Sequence, residues 1–258
     1  MLILLPPSEG KTQPTQGPSL DLQSLSFPEF SDAREQLITE LIAISQREDA
    51  LDILKVGARV ADDIARQTDL WNLPCAPAYE VYSGVLFNAM DMSNASPSDI
   101  KRANRHTLIF SGLFGINHPS DMIPAYRLSM GISLPSSGNT KSFWKKVLAD
   151  ADFSEDELVI DARSGAYRVW DPPAQADHVV INAVRIKNGK RTVVSHHTKH
   201  YRGLLAGQLI RSTQIPEDAE ELAEFAHILV DRNIITNVEL DPPGKTRALT
   251  LVENLDLE

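Results

Sequence analysis

The tetrapeptide Lys187-Asn188-Gly189-Lys190 constrains the fold more than any other feature of this 258-residue chain. Asn-Gly accepts the positive φ angles of a two-residue turn. It lies between Val179 to Ile186 and Arg191 to Ser195, which read as two strands. Those strands pair antiparallel. Elsewhere, short apolar runs alternate with helical patterns, as in parallel sheets. Met1-Leu2-Ile3-Leu4-Leu5 (stopped by Pro6-Pro7), Thr107 to Phe110 and Leu158 to Asp161 read as buried strands. The expectation is a mixed α/β fold: a central mixed sheet with one antiparallel hairpin, flanked by helices.

Residues 9–30 are rich in Gly, Pro, Ser, Thr and Gln and read as an extended loop. Residues 31–48 predict a helix capped by Ser31 or Asp32, and residues 49–67 a second amphipathic helix. Ser98 to Arg105, Thr140 to Leu148 and Gly203 to Arg211 read as shorter helices, and Pro216 to Asn233 as an acidic amphipathic one. Lys245 to Val252 reads as an edge strand.

No apolar run approaches the roughly 20 residues of a membrane span. Five apolar residues without a basic flank do not make a signal peptide. The single Cys75 excludes an internal disulfide and a cysteine-cluster zinc site, and it agrees with a reducing cytoplasm. Net charge is −10, which argues against a polyanion partner until its distribution is seen. Residues 101–211 hold 16 Lys+Arg against 9 Asp+Glu, and both flanks are acidic. The middle of the chain is therefore able to steer an anion.

Ser111 to Gly131 follows an apolar strand with Gly112, Gly115, Pro119, Asp121, Pro124, Tyr126 and Arg127. Such punctuation after a strand often presents a site. Pro6 to Thr12 ends in Gly10-Lys11-Thr12, but Leu5 stands where a phosphate-binding P-loop needs glycine, so that motif fails. Ser8, Glu9 and Lys11 remain as a polar edge at a strand end. His196, His197, Lys199, His200 and Arg202 crowd seven residues. Without a nearby carboxylate, this cation density suits an anion better than a metal, and no metal or cofactor is expected. Asp161, Arg163, Ser164, Tyr167 and Arg168 form a third polar loop after a strand, open to either an internal Asp161–Arg163 pair or a small-molecule contact.

Tyr82-Ser83-Gly84, Ser111-Gly112-Leu113-Phe114-Gly115, Asp121 to Gly131, Phe143-Trp144 and Arg202-Gly203-Leu204 together resemble the YaaA family of bacterial peroxide-stress proteins. The resemblance covers nearly the whole chain. It implies a single domain over 1–258, a positively charged cleft, DNA binding with a helix-hairpin-helix-like element, and a cytoplasmic role in the response to oxidative stress. Three stretches depart from the family pattern. Its Ser-Pro-Ala-Lys loop is here Pro7-Ser8-Glu9-Gly10-Lys11. Its Asn-Leu-Ala-Ser loop is Asp161-Ala162-Arg163-Ser164, with Tyr167 retained. Its Phe-Tyr-Ala-Lys-Lys-Ala-Arg-Gly stretch is His196 to Gly203.

Two functions follow as expectations. In the first, the chain binds DNA through phosphate contacts from Lys11, Arg127, Lys141, Lys145, Lys199 and Arg202, with Gly112 and Gly115 offering backbone N–H groups. In the second, an enzyme binds a small anionic or nucleoside-like substrate, with Ser8, Glu9, Lys11, Asp161, Arg163, Tyr167 and His196 converging from several strand ends. Iron handling by His196, His200 and carboxylates brought near them by the fold ranks below both. Either leading function requires Lys11, Arg127, Arg163 and Arg202 to line one cleft.

Overall fold

The computed structural model describes residues 1–153, 158–193 and 195–257, except for the side chains of Ser195 and His196. Among the described residues the main sheet has eight strands. These are β1 (Leu2–Leu5), β2 (Thr107–Ser111), β3 (Gly115–Asn117), β4 (Leu158–Asp161), β5 (Asp177–Lys187), β6 (Lys190–Thr192), β7 (Asn237–Leu240) and β8 (Arg247–Asn254). Their order is β7-β8-β5-β4-β1-β2-β3, with β6 paired to β5. The β2–β1–β4–β5–β8 core is parallel throughout. The pairs β2–β3, β5–β6 and β7–β8 are antiparallel. The sheet is mixed, as the hairpin demands.

The hairpin turn places Asn188 at φ 52° and Gly189 at φ 68°. Helices cover both faces of a parallel core, so its strands are apolar on both sides. Every residue of β1 and β2 is buried accordingly. The helices include α1 (Ser31–Ser45), α2 (Val85–Met90), α3 (Pro97–His106), α4 (Thr140–Val147), α5 (Ser195–Arg211) and α6 (Ala219–Ala226). Among the described residues, no helix is long and apolar enough to cross a membrane.

Several elements differ from the sequence expectation. Neither Ser31 nor Asp32 caps α1, because a 3-10 turn at Pro28–Phe30 runs directly into it. The helix expected over 49–67 is broken into Ala50–Leu54 and Ala61–Arg66. Lys55 adopts φ 53°, which ends the first piece. The acidic helix likewise divides at His227, into α6 and Ile228–Asp231. The strand at 247–254 is not an edge: β7 covers one side of it and β5 the other. Helix α5 begins eight residues before Gly203, so the histidine-rich stretch is helical. Its polar residues conceal a buried face formed by Thr198, Tyr201, Arg202 and Leu205, at i, i+3, i+4 and i+7.

Candidate functional site

β1, β2 and β4 run parallel and end on the same edge of the sheet. β2 lies on one side of β1 and β4 on the other, so the chain leaves this edge in opposite directions. Ligands of open α/β sheets bind in the crevice outside such strand ends. The loop leaving β1 crosses this crevice and is pinned there by residues 81–83. Thr12 N donates to Val81 O at 2.8 Å and Ser83 N to Gly10 O at 3.0 Å. Ser8 Oγ donates to Ser83 O. Gly84 is at φ +144°, and a Cβ there would meet Ser8 Oγ at 2.5 Å, so only glycine permits this closure.

Pinning the loop turns Lys11 inward. Its ammonium donates to Ser8 O at 2.8 Å and lies over the rings of Tyr126, at 4.2 Å, and Tyr82, at 5.4 Å. The two hydroxyls bond each other at 2.9 Å. Burial pushes the Lys11 pKa down to about 7; Glu9 and Asp63 oppose the fall and Arg127 adds to it. Burial also raises both tyrosines well above the ordinary phenol range. The result is a lysine near neutrality in a mostly aromatic enclosure.

Glu9, two residues earlier, is exposed, and both its carboxylate oxygens are held. Tyr167 Oη donates to Oε1 at 2.9 Å and Ser129 Oγ to Oε2 at 2.7 Å. Burial and the Glu9 charge together raise the Tyr167 pKa, so this hydroxyl stays a donor. Arg127 holds the backbone of the same loop through the Glu9 carbonyl. The rest of its guanidinium makes a forked pair with Asp63 at 2.7 and 3.0 Å. Gln67 Oε1 accepts from Arg127 N at 2.9 Å. Arg127 thus ties the loop to the region of Ala61–Arg66, while Tyr126 packs inward at 2% exposure.

A cavity of about 240 Å³ opens beside this loop, lined by Ser8, Glu9, Tyr167, Lys199 and Arg202 among others. Helix α5 brings the two cations there. A Cβ on Gly203 would collide with Leu86 O, and one on Gly207 would meet Met90 O at 2.7 Å, so these glycines let α5 lie directly on α2. Lys199 is exposed, whereas Arg202 is buried and donates Nε to Ile181 O at 2.8 Å. Burial pushes the Arg202 pKa down to about 10; Asp161 resists the shift and Arg168 adds to it. The lining thus combines one exposed and one buried cation, a clamped carboxylate and a hydroxyl.

The four cations expected in one cleft divide. Lys11 and Arg127 meet at the β1 loop, and Arg202 lines the cavity. Arg163 does not, because it is fully buried in a pair with Asp161, with bonds of 3.0 and 2.9 Å. Its guanidinium lies 4.4 Å above the Phe110 ring. Asp161 also bonds His178 at 3.3 Å and lies 3.5 Å from Arg168. Burial raises the Asp161 pKa, but His178 and Arg163 outweigh it and hold the carboxyl below its ordinary range. Asp161 and Arg163 thus form the internal pair, while Ser164 and Tyr167 of the same loop line the cavity.

Gly112 and Gly115 are likewise buried and do not form an open phosphate cradle. Trp144 fills the space against Gly115 and donates Nε1 to Gly112 O at 2.9 Å. Lys141 Nζ donates to Gly165 O at 2.9 Å, bracing the turn that carries Tyr167. Lys145 is exposed on α4. His197 Nδ1 lies 2.8 Å from an Arg185 nitrogen, and His200 lies on the groove with Leu204 and Arg211. The His196 side chain lies outside the described residues. Among the described residues, no group of three or more His, Cys, Asp or Glu is placed to hold a metal ion.

Sequence reasoning missed Asp63, Gln67 and Ser129, which sit in unremarkable helical and loop contexts. It also missed Arg34, fully buried, which donates to Ser26 O, Phe27 O, Phe114 O and Ile116 O. That arginine and Asp121, which accepts from Ser26 and His118, fix the block after β2 as a structural unit.

Comparison with known proteins bears on this arrangement as a whole. The family model described as "Peroxide stress protein YaaA" matches residues 1–228. A UPF0246 protein of Corynebacterium efficiens is 41% identical over 98% of this chain and 100% of its own length. UPF0246 proteins of Streptomyces coelicolor and Corynebacterium glutamicum are 34% and 35% identical, over 95% and 98% of the chain and 94% and 100% of their own lengths. The strand-end loops, the Tyr82–Tyr126 enclosure and the block after β2 all lie within the matched residues, and the chain belongs to the YaaA (UPF0246) family of peroxide stress proteins.

Proposed function

We propose that the chain is an enzyme acting on a small anionic substrate held in the cavity between the β1 loop and α5, and that this activity serves the peroxide response the family is named for. One observation carries the reading: Lys199 and Arg202 share the cavity with a carboxylate whose two oxygens are both fixed. Fixed polar groups in a concave site at strand ends are what orient a small ligand. The volume of about 240 Å³ suits a metabolite of modest size. In this reading the cations attract the anionic group, Tyr167 holds Glu9, and Glu9 takes or returns a proton.

A thermal-shift titration of the full chain with inorganic phosphate and with adenosine monophosphate tests this. The reading predicts stabilisation by at least one of them, reduced in Lys199→Ala. No shift with either probe would contradict it.

DNA binding is the second reading. It draws on the exposure of Lys145, Lys146 and Lys199. Against it, Arg127 and Lys141 are engaged within the fold. Duplex binding that weakens steeply with salt, and weakens further in Lys145→Ala/Lys199→Ala, would favour it.

A further inference from the structure

We propose that Lys11 is a covalent catalytic residue, and that its amine condenses with the carbonyl of a small anionic aldehyde or ketone in the adjoining cavity to form a Schiff base. This deepens the reading of the cavity as a small-anion site and rests on it.

Three observations meet at this residue. First, Lys11 does not itself line the cavity, but its Nζ lies directly behind the wall, 2.8 Å from the carbonyl oxygen of the lining residue Ser8. Second, no carboxylate among the described residues pairs directly with the amine. The amine meets that carbonyl and the rings of Tyr82 and Tyr126, with Glu9, Arg127 and Asp63 acting as surrounding charges. A lysine used only for structure would be cheaper to bury beside a carboxylate. Third, burial brings its pKa down to about 7, which leaves an appreciable share of the amine neutral at physiological pH. An ordinary lysine is neutral there in roughly one molecule per thousand. Desolvated lysines of this kind act as amine nucleophiles.

The chemistry balances without another reagent. The Nζ lone pair attacks the carbonyl carbon, and the C=O π electrons move to oxygen. Glu9 accepts a proton from the nitrogen and returns it to that oxygen, giving a carbinolamine. Loss of the hydroxyl, with a second proton passed through Glu9, releases water and leaves the imine. Arg202 and Lys199, lining the same cavity, bind the anionic end of the carbonyl compound. Tyr167 and Ser129 keep Glu9 in place through both transfers.

The test is reductive trapping on the full chain with glyoxylate, the smallest anionic aldehyde, and cyanoborohydride at pH 7.5, followed by peptide mapping. The proposal predicts one carboxymethyl group on Lys11, added at least about tenfold faster than on exposed Lys145 and Lys146. The rate should fall as pH drops through about 7, and Lys11→Arg should abolish the label while keeping its circular dichroism spectrum. Inorganic phosphate should protect. Propanal, which lacks the anion, separates the two claims. Fast, phosphate-insensitive labelling of Lys11 by both aldehydes supports the amine and overturns the anion site. Phosphate binding without preferential labelling of Lys11 by either aldehyde overturns the Schiff base and leaves the anion site standing. If Lys11→Arg does not fold, the ratio of Lys11 to Lys145 labelling in the unaltered chain still decides.

Discussion

The Tyr167 hydroxyl donates to the Glu9 carboxylate over 2.9 Å, joining positions 158 residues apart in the chain. The contact crosses from the turn after β4 to the loop after β1, and these strands are neighbours in the sheet. Adjacent parallel strands necessarily bring their following loops together. Here that juxtaposition fixes a carboxylate that is otherwise exposed. Tyr167→Phe removes one donor and keeps the ring. It should cost about 0.5–1.5 kcal/mol of stability and weaken anion binding. Urea unfolding and a phosphate titration on the same variant check both effects.

Lys11 makes stability depend on pH in a defined direction. Its pKa is about 7 in the folded chain against an ordinary 10.5. Between those values the unfolded chain holds a proton that the folded one has released, so raising the pH favours the fold. Below about 7 the full penalty of a buried ammonium applies. The stability of the unaltered protein relative to Lys11→Met should therefore climb from pH 7 to 9.5. Taking the difference cancels titrations common to both proteins. Parallel curves from urea unfolding would show that Lys11 is not enclosed as described.

Asp161 should behave as a structural charge. Asp161→Asn leaves the fully buried Arg163 without its counter-ion and should cost about 3–5 kcal/mol. Because the carboxyl is held below its ordinary 3.8, its contribution persists at pH 5 and declines only in stronger acid. Denaturant midpoints across pH 3–7 for both proteins check the size and the window.

Gly203 sets how closely α5 approaches α2. Gly203→Ala places a methyl group against the Leu86 carbonyl and should cost about 1–3 kcal/mol. Moving α5 would also withdraw Lys199 from the cavity. Reduced phosphate binding in the still-folded variant is the expected outcome.

The sheet was legible because its strands carry their own signals. The β1 run is stopped by two prolines, and Asn188-Gly189 dictates a turn whatever surrounds it. The polar loops at the ends of β1 and β4 were legible for the same reason. What the sequence concealed is which charges neutralise each other. Arg127 finds Asp63 across 64 residues, and Arg34 reaches carbonyls 80 and 82 residues away. Local composition carries no trace of such pairings, so cations that read as ligand contacts prove to be struts. Helix α5 was hidden at its start because its buried face there includes Thr198 and Arg202, which hydrophobic periodicity does not count.

The most direct measurement is a calorimetric titration of inorganic phosphate into the unaltered chain, Lys199→Ala and Tyr167→Phe at low salt. If the cavity beside Glu9 is a small-anion site, the unaltered chain binds one phosphate, Lys199→Ala binds it markedly less tightly, and Tyr167→Phe is intermediate. Equal affinities in all three proteins, or no heat of binding in any, would contradict that account.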